Sequence, residues 1–151
     1  MSQTTQIQPW PVLKKGTQQH PTQTLQYLLR QHDHPLTVDG IFGPKTDAAV
    51  RSFQRSKGLA VDGIVGPRTW SAVIVTVRQG SRGDAVRGVQ YEQFVYRSGT
   101  DDPNLAREVD GIFGPRTDAV VRGYQKALEL AADGIVGPLT WRAQVSGMLN
   151  I

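Results

Sequence analysis

The stretch D-G-I-F-G-P-K-T, residues 39–46, is written four times in this chain. It returns as D-G-I-V-G-P-R-T (62–69), D-G-I-F-G-P-R-T (110–117) and D-G-I-V-G-P-L-T (133–140). Asp-Gly favours a tight turn, because glycine accepts a positive φ and aspartate bonds its own backbone. Gly-Pro then opens a helix: proline at the first helical position gives up no needed N–H, and its φ is already helical. Between these signals sits an apolar pair, Ile41-Phe42 or Ile64-Val65, expected to drop both side chains into a core. Thr46 and its counterparts Thr69, Thr117 and Thr140 fall in the first helical turn, where a hydroxyl can satisfy a free backbone amide.

Working outward, the copies start at 39, 62, 110 and 133, a spacing of 23 within each half and 71 between halves. Aligned without a gap, residues 39–73 and 110–144 share 23 identities in 35 positions. Upstream the offset falls to 64, matching Gly16 to Gly80, Gln26 to Gln90 and Tyr27 to Tyr91. The second half therefore carries seven extra residues before Asp110, a place where ligand contact can change. The chain is a duplicated unit, read as a flexible segment at 1–10, one repeat at 11–74 and another at 75–146.

Each repeat reads as three helices. The first is expected over 22–31, with Leu25, Leu28 and Leu29 at helical spacing, and over 84–96, with Val86, Val89 and Phe94. The second starts at Pro44 and at Pro115, and the third at Pro67 and at Pro138, carrying Trp70 or Trp141 as its largest core residue. Extended pieces at 38–39 and 61–62 are long enough for a minimal ribbon and too short for a sheet. The join at 73–77 is rich in β-branched residues and lacks glycine and proline, unlike a flexible tether. It predicts repeats packed in a fixed relation.

The 151 residues contain no cysteine, so neither disulfides nor thiolate metal sites are available. Net charge is +4, and it resides in residues 1–74, with 8 Lys/Arg against 4 Asp/Glu; residues 75–151 hold 9 of each. No basic run exceeds Lys14-Lys15, which is too little for a nucleic-acid tract. The opening M-S-Q-T-T-Q-I-Q-P-W-P lacks the basic and apolar regions of a signal peptide, and no stretch approaches the roughly 20 apolar residues of a membrane span. His32-Asp33-His34 falls short of the three or four ligands zinc needs. A calcium loop is excluded at 39–47, where Ile41 and Phe42 occupy positions that need oxygen ligands. There is no nucleophile elbow and no phosphate loop, and four equivalent aspartates in turns argue for a structural role over paired catalytic carboxylates.

The run A-V-R-S-F-Q-R-S-K-G-L-A-V-D-G-I-V-G-P-R-T-W (49–70) resembles the peptidoglycan-binding domain 1 family, as do G-S-R-G-D-A-V-R-G-V-Q (80–90) and both V-D-G-I-F-G segments. The likeness covers about residues 12–145 as two tandem copies. It implies an all-α fold of two three-helix bundles with short DG turns. It implies a non-catalytic module that holds bacterial cell-wall peptidoglycan by stem peptide or glycan, in the wall or outside the cell. A separate wall hydrolase or protein partner is the implied company, without cofactor, metal, nucleic acid or membrane. Carried over by motif position, the ligand-binding residues are Asp39, Phe42, Thr46, Gln54, Asp62 and Trp70, then Asp110, Phe113, Thr117, Gln125, Asp133 and Trp141. The rival reading is a structural or partner-binding protein that reuses the fold without holding wall polymer.

Overall fold

Gly-Pro starts four of the six α-helices in the computed structural model, which describes residues 6–99 and 104–148. In chain order these are α1 (Thr22–Gln31), α2 (Pro44–Ser56), α3 (Pro67–Val73), α4 (Asp84–Gln90), α5 (Pro115–Ala127) and α6 (Pro138–Val145). The glycine before each of the four prolines is extended and the proline is the first helical residue, as the motif requires. Helices α2 and α5 stop where the chain turns left-handed, at Gly58 (φ 68°) and at Glu129 (φ 61°). Among the described residues β pairing is confined to isolated bridges, so the all-α class holds.

The bridges correct one expectation. Segments 38–39 and 61–62 do not pair with each other. Instead the lead-in of each repeat crosses its own turns: Leu13 bridges Val65, and Val77 bridges the equivalent Val136. Gly16 and Thr17 clasp Phe42 through backbone bonds of 2.9 and 2.8 Å, and Gly80 and Ser81 do the same to Phe113 at 2.9 and 3.0 Å. The join between repeats is thus the second repeat's lead-in. Its Val75 carbonyl accepts the Trp141 indole N–H at 2.8 Å, just as Pro11 accepts that of Trp70 at 2.8 Å. Its β-branched composition follows from this role, since extended backbone favours such residues.

One apolar core runs through both repeats, from Leu25, Leu28 and Leu29 of α1 to Val86 and Val89 of α4, with Trp70 and Trp141 fully buried. Of the segment 1–10, residues 1–5 lie outside the described residues. Trp10 stacks on Trp70 with centroids 5.8 Å apart, and Ile7 packs on Tyr124, Leu128 and Ala143.

The repeats meet through their first helices, which lie antiparallel. Equivalent residues face each other across this seam: Tyr27 with Tyr91 (6.5 Å, tilted), and Thr24 beside Gly88. Such self-pairing is what a local twofold produces. Polar contacts clamp both ends. The Gln31 side-chain oxygen accepts the Ala85 N–H at 2.9 Å and so caps α4, while Arg30 pairs with Asp84 at 3.4 Å. At the other end Glu92, 1% exposed, receives the His20 imidazole at 2.8 Å and the Thr24 hydroxyl. There the expected helix over 84–96 departs from α geometry, and residues Tyr91–Tyr96 form a π-helical turn. The π turn carries three successive side chains, Glu92, Gln93 and Phe94, to the interior. Gln93 in turn donates to Gln144 of α6 at 2.8 Å.

Burial drives the Glu92 pKa above its ordinary 4.5, opposed by the His20 contact. A carboxyl raised in the folded state contributes stability that is complete below 4.5 and lost as pH rises through the folded value. Glu92→Gln removes that loss. In urea titrations, its stability relative to the parent is therefore expected to improve steadily as pH is raised above 4.5; a constant difference would show that Glu92 does not titrate on folding.

Candidate functional site

Each repeated turn is closed by a glutamine side chain from the preceding long helix. The Gln26 oxygen accepts the N–H groups of Asp39 and Gly40 at 3.0 and 2.9 Å. Its amide nitrogen donates to Asp39 Oδ1, the Ile41 carbonyl and the Thr46 hydroxyl at 2.9–3.1 Å. Two N–H protons serve three acceptors, so one bond is shared. Gln54 holds Asp62, Gly63, Ile64 and Thr69 in the same way. Gln90 holds Asp110, Gly111, Ile112 and Thr117. Gln125 holds Asp133, Gly134, Ile135 and Thr140. The four glutamines are 1% exposed.

The aspartate completes the turn on itself: in all four copies Oδ1 accepts the N–H two residues on at 2.9 Å. These bonds favour the ionised form. Asp39 is held below the ordinary 3.8 chiefly by Gln26, and Asp62 and Asp110 chiefly by the backbone N–H of Ile64 and Ile112. Glycine follows because nothing else fits: Gly63 has φ 73°, and a Cβ there would lie 2.6 Å from Asp47 Oδ1, whose partner Arg51 covers the turn. The threonine role also differs from the expected amide cap. Thr46 and Thr69 accept from glutamine and sit 3.4 and 3.5 Å from the isoleucine carbonyl.

The apolar pair splits. Phe42, Val65, Phe113 and Val136 enter the core at 0–1% exposure, whereas Ile41, Ile64 and Ile112 remain 50, 41 and 45% exposed. The expectation that both residues go inward is corrected by the backbone: the pair is extended, and successive side chains point to opposite faces.

Those outward isoleucines line open grooves of one design. Beside turn one, Leu36, Thr37, Asp39, Ile41, Lys45 and Thr46 border a cavity of about 420 Å³. Beside turn two, Leu59, Ala60, Asp62, Ile64, Arg68 and Thr69 border another of about 420 Å³. Beside turn four, Leu130, Ala131, Asp133, Ile135, Leu139 and Thr140 border one of about 230 Å³. Each lining joins the turn's aspartate, whose second oxygen accepts from no donor among the described residues, to a leucine and an isoleucine.

Of the twelve carried-over positions, Asp39, Asp62 and Asp133 reach a groove with a free carboxylate oxygen. Thr46, Gln54 and Gln125 lie at groove floors, buried and bonded to the turn, as Thr117 is at turn three. Asp110 belongs to the turn whose walls are joined by an ion pair, described below. Phe42, Phe113, Trp70 and Trp141 face the core and reach no groove. Sequence reasoning passed over Leu36, Leu59, Leu130 and the isoleucines. Their signal was present, as an apolar residue three before and another two after each of those aspartates. Among the described residues no three His, Cys, Asp or Glu cluster as metal ligands; His32 bonds the Val73 carbonyl at 2.9 Å and abuts Phe53 edge-on. No described helix is long and apolar enough to cross a membrane.

Buried keystones with outward grooves define a class, a small repeated helical module built around surface clefts. The chain belongs to the peptidoglycan binding domain family, whose pattern matches residues 18–73 and 84–143. It is 57% identical over 66 residues to an uncharacterised protein of Kitasatospora aureofaciens, covering 42% of this chain and 49% of that one. It is 37% identical over 100 residues to the zinc D-Ala-D-Ala carboxypeptidase of Streptomyces albus G, covering 66% and 36%. The chain thus spans a third to a half of the length of these relatives. A crystal structure of a peptidoglycan-binding protein from Clostridioides difficile, in complex with glutamine hydroxamate, matches at 38% identity with a TM-score of 0.41, covering 42% of this chain and 40% of that one.

Two outcomes test the turn. Gln54→Ala strands two backbone N–H groups and opens a void, and is expected to cost about 2–4 kcal/mol by urea denaturation. The lowered aspartates contribute stability present above 3.8 and lost as pH falls through their folded values. The triple variant Asp39→Asn, Asp62→Asn, Asp110→Asn keeps the acceptor but cannot titrate, so its melting temperature should fall less than the parent's on acidification below about pH 4.

Proposed function

We propose that this protein is a non-catalytic module that holds bacterial peptidoglycan through the grooves beside turns one, two and four, its units lying at 11–74 and 75–146. The observation that carries the reading is the recurrence of one groove, lined by the turn's aspartate together with a leucine and an isoleucine, in a chain of the peptidoglycan binding domain family. The free oxygen accepts an amide or ammonium N–H, and the wall takes small apolar groups. Grooves on a packed pair of repeats act together, so modest single-site affinity sums to firm attachment on a repeating polymer. Such a module works at the cell wall. The Streptomyces relative, named a zinc carboxypeptidase for D-Ala-D-Ala, supports a partnership with wall-cutting enzymes that the module keeps on their substrate.

Co-sedimentation with isolated sacculi at low salt tests this. The parent should pellet with the wall. The triple variant Ile41→Asp, Ile64→Asp, Leu139→Asp changes exposed side chains, so it should keep the parent's circular dichroism melt yet stay in the supernatant. A parent that stays in solution, or a folded variant that pellets equally, defeats the proposal.

A further inference from the structure

The grooves share their aspartate, isoleucine and threonine but differ at the position six residues after the aspartate. It is Lys45 at turn one, Arg68 at turn two, Arg116 at turn three and Leu139 at turn four. In the first repeat the cation is exposed on the groove wall, and no carboxylate among the described residues pairs with Lys45 or Arg68. In the second repeat turn four replaces it with an apolar Leu139, 52% exposed. At turn three the cation is engaged: Arg116 pairs with Glu108 at 2.8 Å and lies 5.4 Å over the Phe94 ring. Glu108 occupies the position of Thr37, Ala60 and Ala131, all groove walls, so this ion pair joins the two walls that stand apart in the other copies. Glu108 ends the 3-10 turn Leu105–Glu108, at the close of the lengthened loop that distinguishes the second repeat.

We propose that this one position sets the charge selectivity of the module. Lys45 and Arg68 make the first repeat's grooves receptors for a short peptide ending in a carboxylate. Leu139 makes the turn-four groove a receptor for the uncharged, amidated counterpart, and Arg116 is withdrawn from binding by Glu108. The inference rests on the wall-binding reading above and deepens it by naming peptide, with its terminal charge, as the recognised chemistry. Peptide is favoured over sugar because no aromatic ring lines these grooves for a sugar face to stack on, while the aspartate oxygen accepts N–H and the Leu–Ile wall accepts methyl groups. Charge complementarity supplies the carboxylate: a free cation on the wall across from an apolar strip suits a small anion with an aliphatic body. At about 420 Å³ the two cationic grooves fall in the range of small-ligand sites, roughly 300–1,000 Å³. The first half's excess of basic residues adds a favourable field.

The test is a two-dimensional amide NMR titration of the full chain with N-acetyl-D-alanyl-D-alanine and, separately, its C-terminal carboxamide. The free acid is expected to shift the amides of Ile41 and Ile64, with the carboxamide about three- to fivefold weaker there, the size of an exposed ion pair. The Ile135 groove should show no preference for the acid. Lys45→Leu and Arg68→Leu should each erase the preference in their own groove, and Leu139→Arg should create one beside Ile135. Added salt should shrink the preference where it exists. Equal binding of acid and amide at Ile41 and Ile64, no shift in any groove, or a preference that survives Lys45→Leu overturns the inference. If the parent still pellets with sacculi under any of those results, the selectivity rule alone fails. If it does not pellet, the wall-binding reading fails with it.

Discussion

A carboxamide threaded into a backbone turn does the work of a missing strand partner. Each DG turn exposes two N–H groups and a carbonyl that no helix and no sheet ladder satisfies. One glutamine presents an oxygen to the turn's N–H groups, the aspartate's and the glycine's in the first two copies and the glycine's in the other two, and a nitrogen to the carbonyl. The amide is buried, so leaving it unpaired would cost far more than its net worth when paired. Every other feature of the turn is arranged around it. Aspartate and threonine supply the remaining acceptors, glycine lets the chain pass under the neighbouring side chains, and proline starts the helix just beyond. The glutamine comes from the helix before the turn, so the same contact sets where successive helices sit. Four of them set the positions of α2, α3, α5 and α6.

Because the turn is satisfied from inside, its outer surface is free to vary. Isoleucine and the second aspartate oxygen take no part in closing it and face outward. The residues three and two before the aspartate, and six after it, also lie outside the bonded ring. All three positions change chemistry between copies: leucine or arginine at the first, threonine, alanine or glutamate at the second, and lysine, arginine or leucine at the third. The scaffold and the groove walls are therefore separate sets of residues within one eleven-residue stretch. Separation of this kind lets one fold present several surfaces without loss of stability.

The sequence laid out much of this. Gly-Pro located four helix starts to the residue, and leucine spacing located α1. The turn itself was legible in Asp-Gly, since local chemistry dictates it. Three things were not. The outward isoleucine was hidden because an apolar pair in extended backbone gives no sign of which member faces the core. The keystone glutamines were hidden by distance, for Gln26 acts 13 residues downstream and Gln90 acts 20. Nothing local marks either one, and equivalence between repeats points to them without saying why. The π-turn at Tyr91–Tyr96 was hidden because it answers to contacts distant in sequence: His20 and Thr24 reach Glu92 across the seam, and Gln93 donates to Gln144 within its own repeat. The grooves follow from that outward isoleucine, and the position that distinguishes them is legible in the four copies side by side.

The seam explains why a duplicated module has diverged without coming apart. Equivalent first helices pack on each other, so any substitution there meets itself or its counterpart, and the interface constrains both repeats together. Thr24 beside Gly88 and Tyr27 beside Tyr91 keep that pairing close. Asymmetry has instead collected at its ends, as the Glu92 cluster on one side and the Gln31 cap of α4 on the other. These contacts exist once in the molecule and have no counterpart under the local twofold. They tie the repeats together around a core that both share. Under the wall-binding proposal, a ligand that repeats along a polymer engages several grooves at once only where its own spacing agrees with theirs. The lengthened loop acts within the second repeat: the Leu105–Glu108 turn sets Glu108 against Arg116, and at one of four equivalent positions an ion pair joins the walls that stand apart in the others.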